Sequence, residues 1–325
     1  MSLRWGILAT GGIAHAFASD LRTAGRDVRA VGSRSAASAR RFADEFGIPR
    51  AHGSYEELVA DPEVDIVYVA TPHPLHAANA ALALEAGKHV LVEKAFTVSQ
   101  EEALRLQSLA AERGLLVMEA MWTRYLPHMR RIREIVRSGA IGEVRTVWAD
   151  HTQSLPTDPA HRINALELGG GALLDLAIYP VSFAWDVLGP AETVRAVARM
   201  GSTGADTEVA TLMTHASGAL SSTVSSSRGA GPDTAHIVGT TGRIDIDRVW
   251  YAPTTFTVTA TDGAVVERGG GDVPGRGMQF QALAAEREVA SGRLDPEELP
   301  IAESVAIMGA LDEVRRQIGL AYPGE

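Results

Sequence analysis

The feature that most constrains the fold is a short apolar segment that ends in two charged residues. Residues 89–92 lack a regular alternation of polar and apolar side chains, and Glu93 and Lys94 follow them directly. A run of this kind is typical of a parallel strand that is covered on both faces. Because ligands of open α/β sheets bind outside the carboxyl ends of the strands, Glu93 and Lys94 are predicted to face a bound molecule. A surface ion pair at a strand end is the alternative interpretation.

Similar apolar segments, separated by helical stretches, surround this one. Two of the helices are predicted to begin with a capping box, in which a serine precedes a glutamate by three residues: Ser54 with Glu57, and Ser99 with Glu102. Strands that alternate with helices predict a doubly wound parallel sheet. Its predicted strands cover residues 3–9, 28–32, 65–70, 89–92 and 115–118.

The pattern changes after residue 143, where the segments alternate between polar and apolar residues. Alternation is typical of strands whose two faces differ in environment, as in an antiparallel sheet. The strands predicted for this second sheet cover residues 144–148, 194–200, 209–214, 219–225 and 256–260.

The predicted fold class is therefore α/β plus α+β. A first domain with a doubly wound parallel sheet is predicted over residues 1–122. A second domain, built on a mostly antiparallel open sheet, is predicted over residues 123–301. A final helix over residues 302–318 is predicted to pack back on the first domain.

Composition and charge exclude several classes of protein. The chain has 325 residues, enough for two domains, and a formal net charge of −10, which argues against nucleic-acid binding. It contains no cysteine, so disulfides, iron–sulfur clusters and thiolate zinc sites are excluded. No apolar run reaches the roughly 18 residues of a membrane span, and no signal pattern opens the chain. These features predict a soluble cytoplasmic protein with no membrane and no nucleic-acid partner.

The first predicted strand leads into a glycine-containing turn and then into a helix, which is the order that a dinucleotide-binding fingerprint requires. Residues 9–14 read Ala-Thr-Gly-Gly-Ile-Ala, so Ala9 stands where the Gly-x-Gly-x-x-Gly/Ala pattern has its first glycine. An ordinary strand–helix turn explains this turn alone equally well. In a dinucleotide-binding Rossmann domain, the glycine backbone would lie close to the pyrophosphate. The predicted contacts are Thr10, Gly11, Gly12 and Ile13.

The second predicted strand ends in Ser33 and Arg34 rather than in an acidic residue. A site that prefers NAD usually has Asp or Glu here, where it binds the ribose 2′-hydroxyl. A hydroxyl and a guanidinium group suit a 2′-phosphate instead. Ser33 and Arg34 therefore favour NADP as the cofactor over NAD. A solvent-facing arginine at a helix start is the alternative.

An irregular loop with two prolines follows the third predicted strand. His73 and His76 are three residues apart, which is also a metal-site spacing, but a proline lies between them and no third ligand is in view. We therefore predict no metal and interpret the loop as one that packs on the cofactor. Its predicted contact residues are Thr71, Pro72, His73 and His76.

An apolar helix is predicted after three consecutive glycines at residues 169–171. Asp175 and Tyr179 are four residues apart, so they share one helix face. Pro180 has no backbone N–H and is tolerated only where the helix begins close before it. Asp175 and Tyr179 are therefore predicted at or near the start of this helix.

Together these elements resemble the glucose–fructose oxidoreductase/inositol dehydrogenase family over nearly the whole chain. Residues 118–125 and 169–179 are most similar to the dimeric dihydrodiol dehydrogenases and NADP-dependent D-xylose dehydrogenases of that family. Tyr179, where many inositol-dehydrogenase-like members have a histidine, points the same way. The matching elements are the glycine turn, Thr71-Pro72 with His76, Glu93-Lys94, and Asp175 four residues before a ring-bearing residue.

The resemblance implies hydride transfer between NADP and a secondary alcohol, hemiacetal or ketone of a sugar or cyclic diol. It implies Lys94 and Tyr179 as the acid/base pair, with Asp175 positioning the substrate or tuning its neighbours. Burial disfavours the charged form of a lysine, and a cation favours the phenolate form of a nearby tyrosine, so either group can exchange a proton with a hydroxyl. Glu93 belongs to the predicted cofactor contacts. Candidate substrate contacts are Trp122, Arg124 and His151.

The sequence departs from the family pattern at two positions. Ala9 replaces a glycine of the phosphate turn, and Ala95 stands where most relatives have a proline after Glu-Lys. Because a cis bond before a residue other than proline costs about 3 kcal/mol, we predict a trans Lys94–Ala95 bond with Lys94 still reaching the site.

Two other functions stay open at this point. The first is a glycosidase that retains NAD and oxidises its substrate transiently, and the second is a non-catalytic NADP sensor. Ser33 and Arg34 count against the glycosidase, since a cofactor that never leaves has little need of 2′-phosphate selection. The joint presence of Lys94, Asp175 and Tyr179 counts against the sensor. The resemblance also implies a homodimer or higher homo-oligomer formed through the second sheet.

Overall fold

The computed structural model describes residues 2–323, which form two compact units. Unit 1 consists of the described residues up to Trp122 together with Val273–Val305. Unit 2 consists of Thr123–Asp272 together with the described residues from Ala306 onward. The chain passes from unit 1 to unit 2 after Trp122, returns to unit 1 at Val273, and enters unit 2 again at Ala306.

Unit 1 is built on a parallel sheet with strands β1 (Arg4–Leu8), β2 (Asp27–Gly32), β3 (Arg50–His52), β4 (Ile66–Val69), β5 (His89–Glu93) and β6 (Val117–Ala120). The connecting helices are α1 (Gly12–Thr23), α2 (Ala36–Phe46), α3 (Tyr55–Val59), α4 (His76–Glu85) and α5 (Gln100–Arg113). The strand order β3-β2-β1-β4-β5-β6 is the doubly wound order of a Rossmann domain. Neighbouring strands pair in parallel throughout.

Burial explains why the strands of unit 1 do not alternate. Every residue of β4 is buried, and so is every residue of β5 except His89. Both predicted serine caps are confirmed: the Glu57 N–H donates to Ser54 Oγ at 3.1 Å, and the Glu102 N–H donates to Ser99 Oγ at 3.3 Å. The two glutamate side chains accept from the N–H one residue before the serine, those of Gly53 and Val98. Because the strands are parallel, their carboxyl ends lie at one edge of the sheet, which is where a ligand is expected.

The segment 273–305 belongs to unit 1 because of long-range pairing that the local sequence does not reveal. It contains α8 (Gln279–Ser291), on which Glu286 accepts from Trp5 Nε1–H at 3.0 Å and from the Arg26 guanidinium at 3.1 Å. It also contains the start of α9 (Ile301–Ile318), where the Ser304 hydroxyl donates to Glu119 at 2.7 Å. These contacts are made by side chains of unit 1.

Unit 2 is built on a mostly antiparallel sheet. Its strands are β7 (Val144–Thr152), β8 (Ala191–Met200), β9 (Asp206–His215), β10 (Leu220–Ser226), β11 (Ala235–Gly239), β12 (Gly242–Ile246), β13 (Thr255–Ala260) and β14 (Val265–Gly270). They are ordered β14-β13-β12-β11-β7-β10-β9-β8, and the β7–β10 pair is parallel. The helices α6 (Pro127–Arg137) and α7 (Ile178–Leu188) belong to the same unit.

One face of this sheet is covered and the other is open. The helix α7 packs against β7 and β10 on the covered face. The open face presents apolar side chains, among them Val197, Leu212 and Val224, which are at least half exposed. On the β8 edge, Gln317 of α9 accepts from the Ala196 N–H at 2.8 Å. This contact accounts for the C-terminal part of α9 lying in unit 2.

One helical stretch within residues 2–323, Leu166–Leu188, is long and apolar enough to cross a membrane. Of its most apolar window, 83% is buried inside the protein. Its composition is accounted for by burial, because α7 forms the covered side of the second sheet.

Candidate active site

The turn between β1 and α1 has the geometry of a phosphate-binding turn. Ala9 has φ +84°, a left-handed conformation that glycine adopts more easily, so the alanine keeps the backbone path of the glycine it replaces. Gly11 and Gly12 are exposed, and an added Cβ would meet no atom within 4 Å at either residue. Thr10 is half-buried and Ile13 is exposed beside them. The glycine turn at the start of α1 is thus open, and a helix N-terminus of this kind suits an anion.

The carboxyl end of β2 presents a hydroxyl and a cation. Ser33 is buried and its Oγ accepts from the Ser35 N–H at 3.4 Å, whereas Arg34 is exposed. Burial raises the pKa of the nearby Tyr55 phenol, and the Arg34 guanidinium opposes that shift. Tyr55 was not among the predicted site residues. Ser33 and Arg34 at the end of β2 thus provide a hydroxyl and a guanidinium group, with the Tyr55 phenol close to Arg34.

The loop after β4 is held by His76. This histidine is almost completely buried, with Nε2 at 2.8 Å from the Thr71 carbonyl and Nδ1 at 2.9 Å from the Ala95 carbonyl. Both ring nitrogens are therefore occupied by backbone oxygens. His73 is also buried and meets His76 edge-on, with 5.5 Å between the ring centroids, while Pro72 is exposed. Within residues 2–323 no group of three potential metal ligands occurs.

Glu93 and Lys94 lie at the carboxyl end of β5, where the sequence predicts them. Glu93 is buried, accepts from the Tyr68 hydroxyl, and accepts from the Lys94 N–H at 3.3 Å. Burial raises the pKa of Glu93 to about 7, while the Tyr68 hydroxyl and the Lys94 charge oppose the shift. Lys94 is half-buried. A half-buried lysine at a strand end is a reasonable proton-transfer group.

The Lys94–Ala95 peptide bond is cis, so the prediction of a trans bond is wrong. That prediction rested on the local preference of a single bond. In the folded chain, tertiary contacts hold the peptide group that follows this bond: His76 lies against the Ala95 carbonyl, and the Phe96 N–H donates to Glu119 Oε1 at 3.1 Å. An alanine therefore occupies the position of the family proline without changing to a trans path.

Asp175 and Tyr179 lie near the start of the helical segment that follows the three glycines, as predicted. Helical backbone begins at residue 172, Leu173–Ala177 form a π-turn, and this turn leads directly into α7, whose third residue is Pro180. The π-turn itself was not predicted. Its longer hydrogen bonds accommodate an interruption of the helical ladder. Asp175 lies in the π-turn and Tyr179 is the second residue of α7.

His151 of β7 contacts the helix beside Pro180. Because Pro180 has no N–H, the carbonyl of Leu176 lacks its usual helical donor. His151 Nδ1 lies 3.2 Å from the Leu176 oxygen, and its Nε2 lies 2.8 Å from the side-chain nitrogen of Gln153. These two contacts suit an imidazole with its proton on Nδ1.

Three aromatic rings surround the start of α7. The ring of His151 stacks on Tyr251 with 3.9 Å between centroids and meets Tyr179 edge-on at 4.9 Å. Tyr179 and Tyr251 are 5.3 Å apart. Burial raises the pKa of Tyr251 to about 12, so this phenol stays protonated at neutral pH. The predicted residue His151 is thus brought together with Tyr179.

A buried carboxylate caps the same helix. Asp206, the first residue of β9, accepts from the Leu173 N–H at 2.7 Å and is almost completely buried. A Cβ added to Gly171 would lie 2.1 Å from Asp206 Oδ1, so only glycine fits beside this carboxylate. A carboxylate at a helix start is also favoured by the helix dipole. Asp206 thus fixes the beginning of the segment that holds Asp175 and Tyr179.

Arg162, which sequence reasoning missed, pairs with Asp175. Its two terminal nitrogens donate to the two carboxylate oxygens, each at 3.1 Å. Arg162 lies in an irregular loop 13 residues before Asp175, and no periodicity in the sequence connects the two. Tyr251, Gln153 and Asp206 were missed for the same reason. A usable signal was the glycine run at 169–171, whose close packing requires a partner.

The remaining predicted substrate contacts lie in different surroundings. Trp122 is buried in unit 1, where the Arg276 guanidinium lies 5.9 Å from its ring centroid. Arg124 is buried in unit 2, where it donates to Ser182 Oγ at 3.0 Å and pairs with Asp186 at 3.2 Å. This differs from the prediction of a substrate contact, because the guanidinium is engaged in the core. An arginine next to a strand end looks the same in sequence whether it binds a ligand or a buried aspartate.

The predicted residues therefore divide between the two units. Unit 1 holds the glycine turn, Ser33, Arg34, the loop of His76, and the Glu93–Lys94 pair. Unit 2 brings together Asp175, Tyr179 and His151.

Two family models match the chain, in the same two parts. The model described as an oxidoreductase family with an NAD-binding Rossmann fold matches residues 3–121, and the GFO/IDH/MocA C-terminal domain matches residues 129–245. The chain belongs to the Gfo/Idh/MocA oxidoreductase family. The resemblance to glucose–fructose oxidoreductase and inositol dehydrogenase and the predicted fold class are both confirmed.

Relatives of this Gfo/Idh/MocA protein cover it almost completely. It is 38% identical to D-xylose 1-dehydrogenase (NADP(+)) of Hypocrea jecorina, over 99% of this chain and 93% of the relative. It is 36% identical to trans-1,2-dihydrobenzene-1,2-diol dehydrogenase of Mus musculus, over 99% of each chain. Among solved structures, the 3-ketoreductase KijD10 of Actinomadura kijaniata, in complex with NADP and TDP-benzene, has a TM-score of 0.85 at 30% identity over 98% of each chain. Levoglucosan dehydrogenase, at 21% identity and a TM-score of 0.86, shares the fold.

The residues of unit 1 fit a dinucleotide cofactor. The open space over Gly11 and Gly12 at the start of α1 suits a pyrophosphate. Ser33 and Arg34 suit the adenosine ribose at the end of β2. The Gfo/Idh/MocA protein is thus an NAD(P)-binding oxidoreductase, and an enzyme, as predicted.

Proposed function

We propose that this enzyme is an NADP-dependent dehydrogenase or reductase. Its substrate class is a sugar or cyclic diol, on which it acts at a secondary alcohol, hemiacetal or ketone. The observation that carries the proposal is identity of 34–38% over 99% of the chain to a D-xylose dehydrogenase and to dihydrodiol dehydrogenases. The hydroxyl and guanidinium groups at the end of β2 support NADP over NAD.

The bound nicotinamide would supply or accept the hydride. The protein's own side chains bind, orient and move the proton. Tyr179 exchanges a proton with the substrate oxygen, and its ring packs edge-on against His151. The family resemblance assigns a role in proton transfer to Lys94 as well. Glu93, which accepts from the Lys94 N–H, holds the backbone of that lysine at the end of β5.

Two alternatives are less well supported. A glycosidase that retains NAD needs no recognition of a 2′-phosphate, yet Arg34 is exposed at the strand end without a carboxylate beside it in the sequence. A non-catalytic NADP sensor has no need of the ordered Asp175–Tyr179 segment. The relatives with these high identities are named as dehydrogenases.

The experiment that tests the proposal is a fluorescence titration with NADP and NAD on the wild type and on Arg34→Ala. Loss of a charge-assisted contact of about 1.5–3 kcal/mol lowers the NADP affinity by about 10- to 100-fold and leaves NAD affinity unchanged. Arg40→Ala, an exposed arginine of α2, is the matched control and keeps the wild-type preference. NADPH absorbance is then followed with a panel of sugars and diols. Equal affinity for both cofactors, or NADP binding without turnover of any of these compounds, would refute the proposal.

A homodimer through the open face of the second sheet is also part of the proposal. Side chains of β8, β9 and β10 line a groove of about 470 Å³ on that face. Leu212 pairs across the sheet with Arg195 and Ser222, and Val197 is 71% exposed. An apolar sheet face of this size is typical of a protein–protein contact, and a second copy of the chain presents the same flat surface.

A cytoplasmic location is likewise proposed, and cell fractionation tests it.

A further inference from the structure

The contact between Arg162 and Asp175 has the geometry of a strong ion pair. Both carboxylate oxygens accept from the guanidinium, in parallel and at equal distances of 3.1 Å. The Asp175 side chain is only 9% exposed, whereas that of Arg162 is 59% exposed. A two-pronged pair of this kind fixes the plane of the carboxylate as well as its charge. Asp175 is therefore half of an ion pair.

The loop that carries Arg162 is tied to the glycine run before the helix. The Gly170 N–H donates to the Ala165 carbonyl at 3.0 Å, and the Gly171 N–H donates to the Ile163 carbonyl at 2.9 Å. A Cβ on Gly170 would lie 2.8 Å from the Arg162 carbonyl oxygen. The backbone on both sides of the ion pair is thus held at a fixed separation, so Arg162 is in place before any ligand arrives.

Several polar groups of unit 2 lie around Tyr179, and Asp175 and Arg162 are the charged ones that form an ion pair there. Asp175 lies one helical turn before Tyr179, and the Arg162 guanidinium interacts electrostatically with the phenolate. The His151 ring of β7 meets Tyr179 edge-on, and Tyr251 stays protonated at neutral pH. Burial alone would lower the pKa of Arg162, but the charges of Asp175 and of the Tyr179 phenolate raise it above its usual value. Tyr179 and Arg162 are thus electrostatically coupled.

We propose that Arg162 is a positioning residue for proton transfer at Tyr179: it fixes the Asp175 carboxylate and neutralises its charge next to the phenol. The inference rests on the proposed function, in which Tyr179 exchanges a proton with the substrate. The negative charge of a carboxylate one turn away disfavours the phenolate and holds the proton on Tyr179, and a cation paired with that carboxylate offsets the effect. With Arg162 in place, the pair is neutral as a whole, and the phenol releases its proton more readily.

The test is a direct titration of Tyr179 by NMR in protein labelled with carbon-13 in its tyrosine rings. The Tyr179 resonance is identified by its loss in Tyr179→Phe. Arg162→Met removes the cation beside the Asp175 carboxylate and raises the titration midpoint of Tyr179 by about one pH unit. The double variant Arg162→Met/Asp175→Asn removes both charges and returns the midpoint to that of the wild type. The pH dependence of kcat shifts in the same direction in Arg162→Met and returns to that of the wild type in the double variant.

Two further variants separate charge from structure. Arg162→Lys keeps the positive charge but cannot form the two parallel hydrogen bonds of a guanidinium group. The titration midpoint of Tyr179 therefore stays near that of the wild type while kcat falls. Arg131→Met is the matched control, because Arg131 makes the same two-pronged contact with Glu267, at 2.8 and 2.9 Å, away from Tyr179. It leaves the midpoint and the kcat profile unchanged.

An unchanged Tyr179 midpoint in Arg162→Met, or a shifted midpoint that the double variant does not restore, would overturn the inference. The titration does not depend on turnover. A wild-type protein that turns over no sugar or diol with NADP would therefore refute the proposed function, and with it the catalytic meaning of Arg162. An unchanged midpoint in an active enzyme would refute the inference alone.

Discussion

Replacing Asp206 with asparagine should make the protein more stable at alkaline pH relative to the wild type. Asp206 caps the helix of Asp175 and Tyr179 by accepting from the Leu173 N–H, and burial raises its pKa to about 7 from an ordinary 3.8. An asparagine oxygen can accept the same bond but cannot ionise. The substitution therefore removes the titration and keeps the cap.

The sign follows from the higher pKa of the folded state. Between the two pKa values the folded protein holds a proton on Asp206 that the unfolded chain has already released. The contribution of Asp206 to stability is thus fully present below about pH 4 and is lost as the pH rises to about 7. From about pH 5 to about pH 8 the free energy of unfolding falls by about 3 kcal/mol, because each pH unit below the pKa of the folded state costs about 1.4 kcal/mol. The Asp206→Asn variant does not lose this stability.

The measurement is urea unfolding of both proteins by tryptophan fluorescence across that pH range. Other titrating groups are common to both proteins and cancel in the difference of their unfolding free energies. That difference should shift by about 3 kcal/mol in favour of the variant. Asp245→Asn is the control. Partial burial would raise the pKa of Asp245, but His236 and Arg243 lower it. Replacing Asp245 should therefore cause no change of stability with pH of this kind above about pH 5. A pH-independent difference for Asp206→Asn would refute the assignment of a protonated buried cap.

Two other predictions follow from the packing of unit 2. Gly171→Ala should lower the free energy of unfolding in urea by more than about 2 kcal/mol, because the new Cβ would meet Asp206 and the φ of residue 171 is +132°. Gly229→Ala is the control and should leave the free energy of unfolding nearly unchanged, because Gly229 has open space around it and no left-handed φ. Leu212→Glu on the open sheet face should convert the dimer into a monomer in analytical ultracentrifugation, whereas Val266→Glu, equally exposed on β14, should not. Wild-type protein that sediments as a monomer would contradict the proposed interface.

The first sheet could be predicted well because its strands carry their own signal. Strands such as β4 and β5 are buried on both faces, so an uninterrupted apolar run identifies them. β3 was not predicted, since its three residues, Arg50–His52, are partly exposed and contain two basic side chains. Its place is determined by pairing with β2, which is a tertiary contact.

The second sheet was predicted less completely. β11, β12 and β14 were not identified, because they are short and their pairing depends on the strands beside them. The parallel pairing of β10 with β7 was also beyond the sequence. Alternation indicates that a segment is a strand with unlike faces, but it does not indicate which strand lies next to it.

The site divides in the same way. Residues at strand ends of unit 1, such as Arg34 and Lys94, were identified because their position in the chain implies their position on the sheet. Arg162 and Asp206 were not, since each acts on the helix from a segment that is distant in sequence. The cis bond before Ala95 belongs to this second class, because it is determined by the neighbours of the loop and not by the residues it joins.

The start of the helical segment that carries Asp175 and Tyr179 shows why these missed residues matter. A helix terminus leaves N–H groups and carbonyls unpaired, and a π-turn followed by a proline leaves one more carbonyl without a donor. Here Asp206 accepts from an N–H, His151 donates to the carbonyl that Pro180 leaves free, and Arg162 holds the side chain of Asp175. The three partners come from β9, from β7 and from a loop. Each of the three pairs with a different group. Together they hold in place a segment that would otherwise fray, and this segment supports Tyr179.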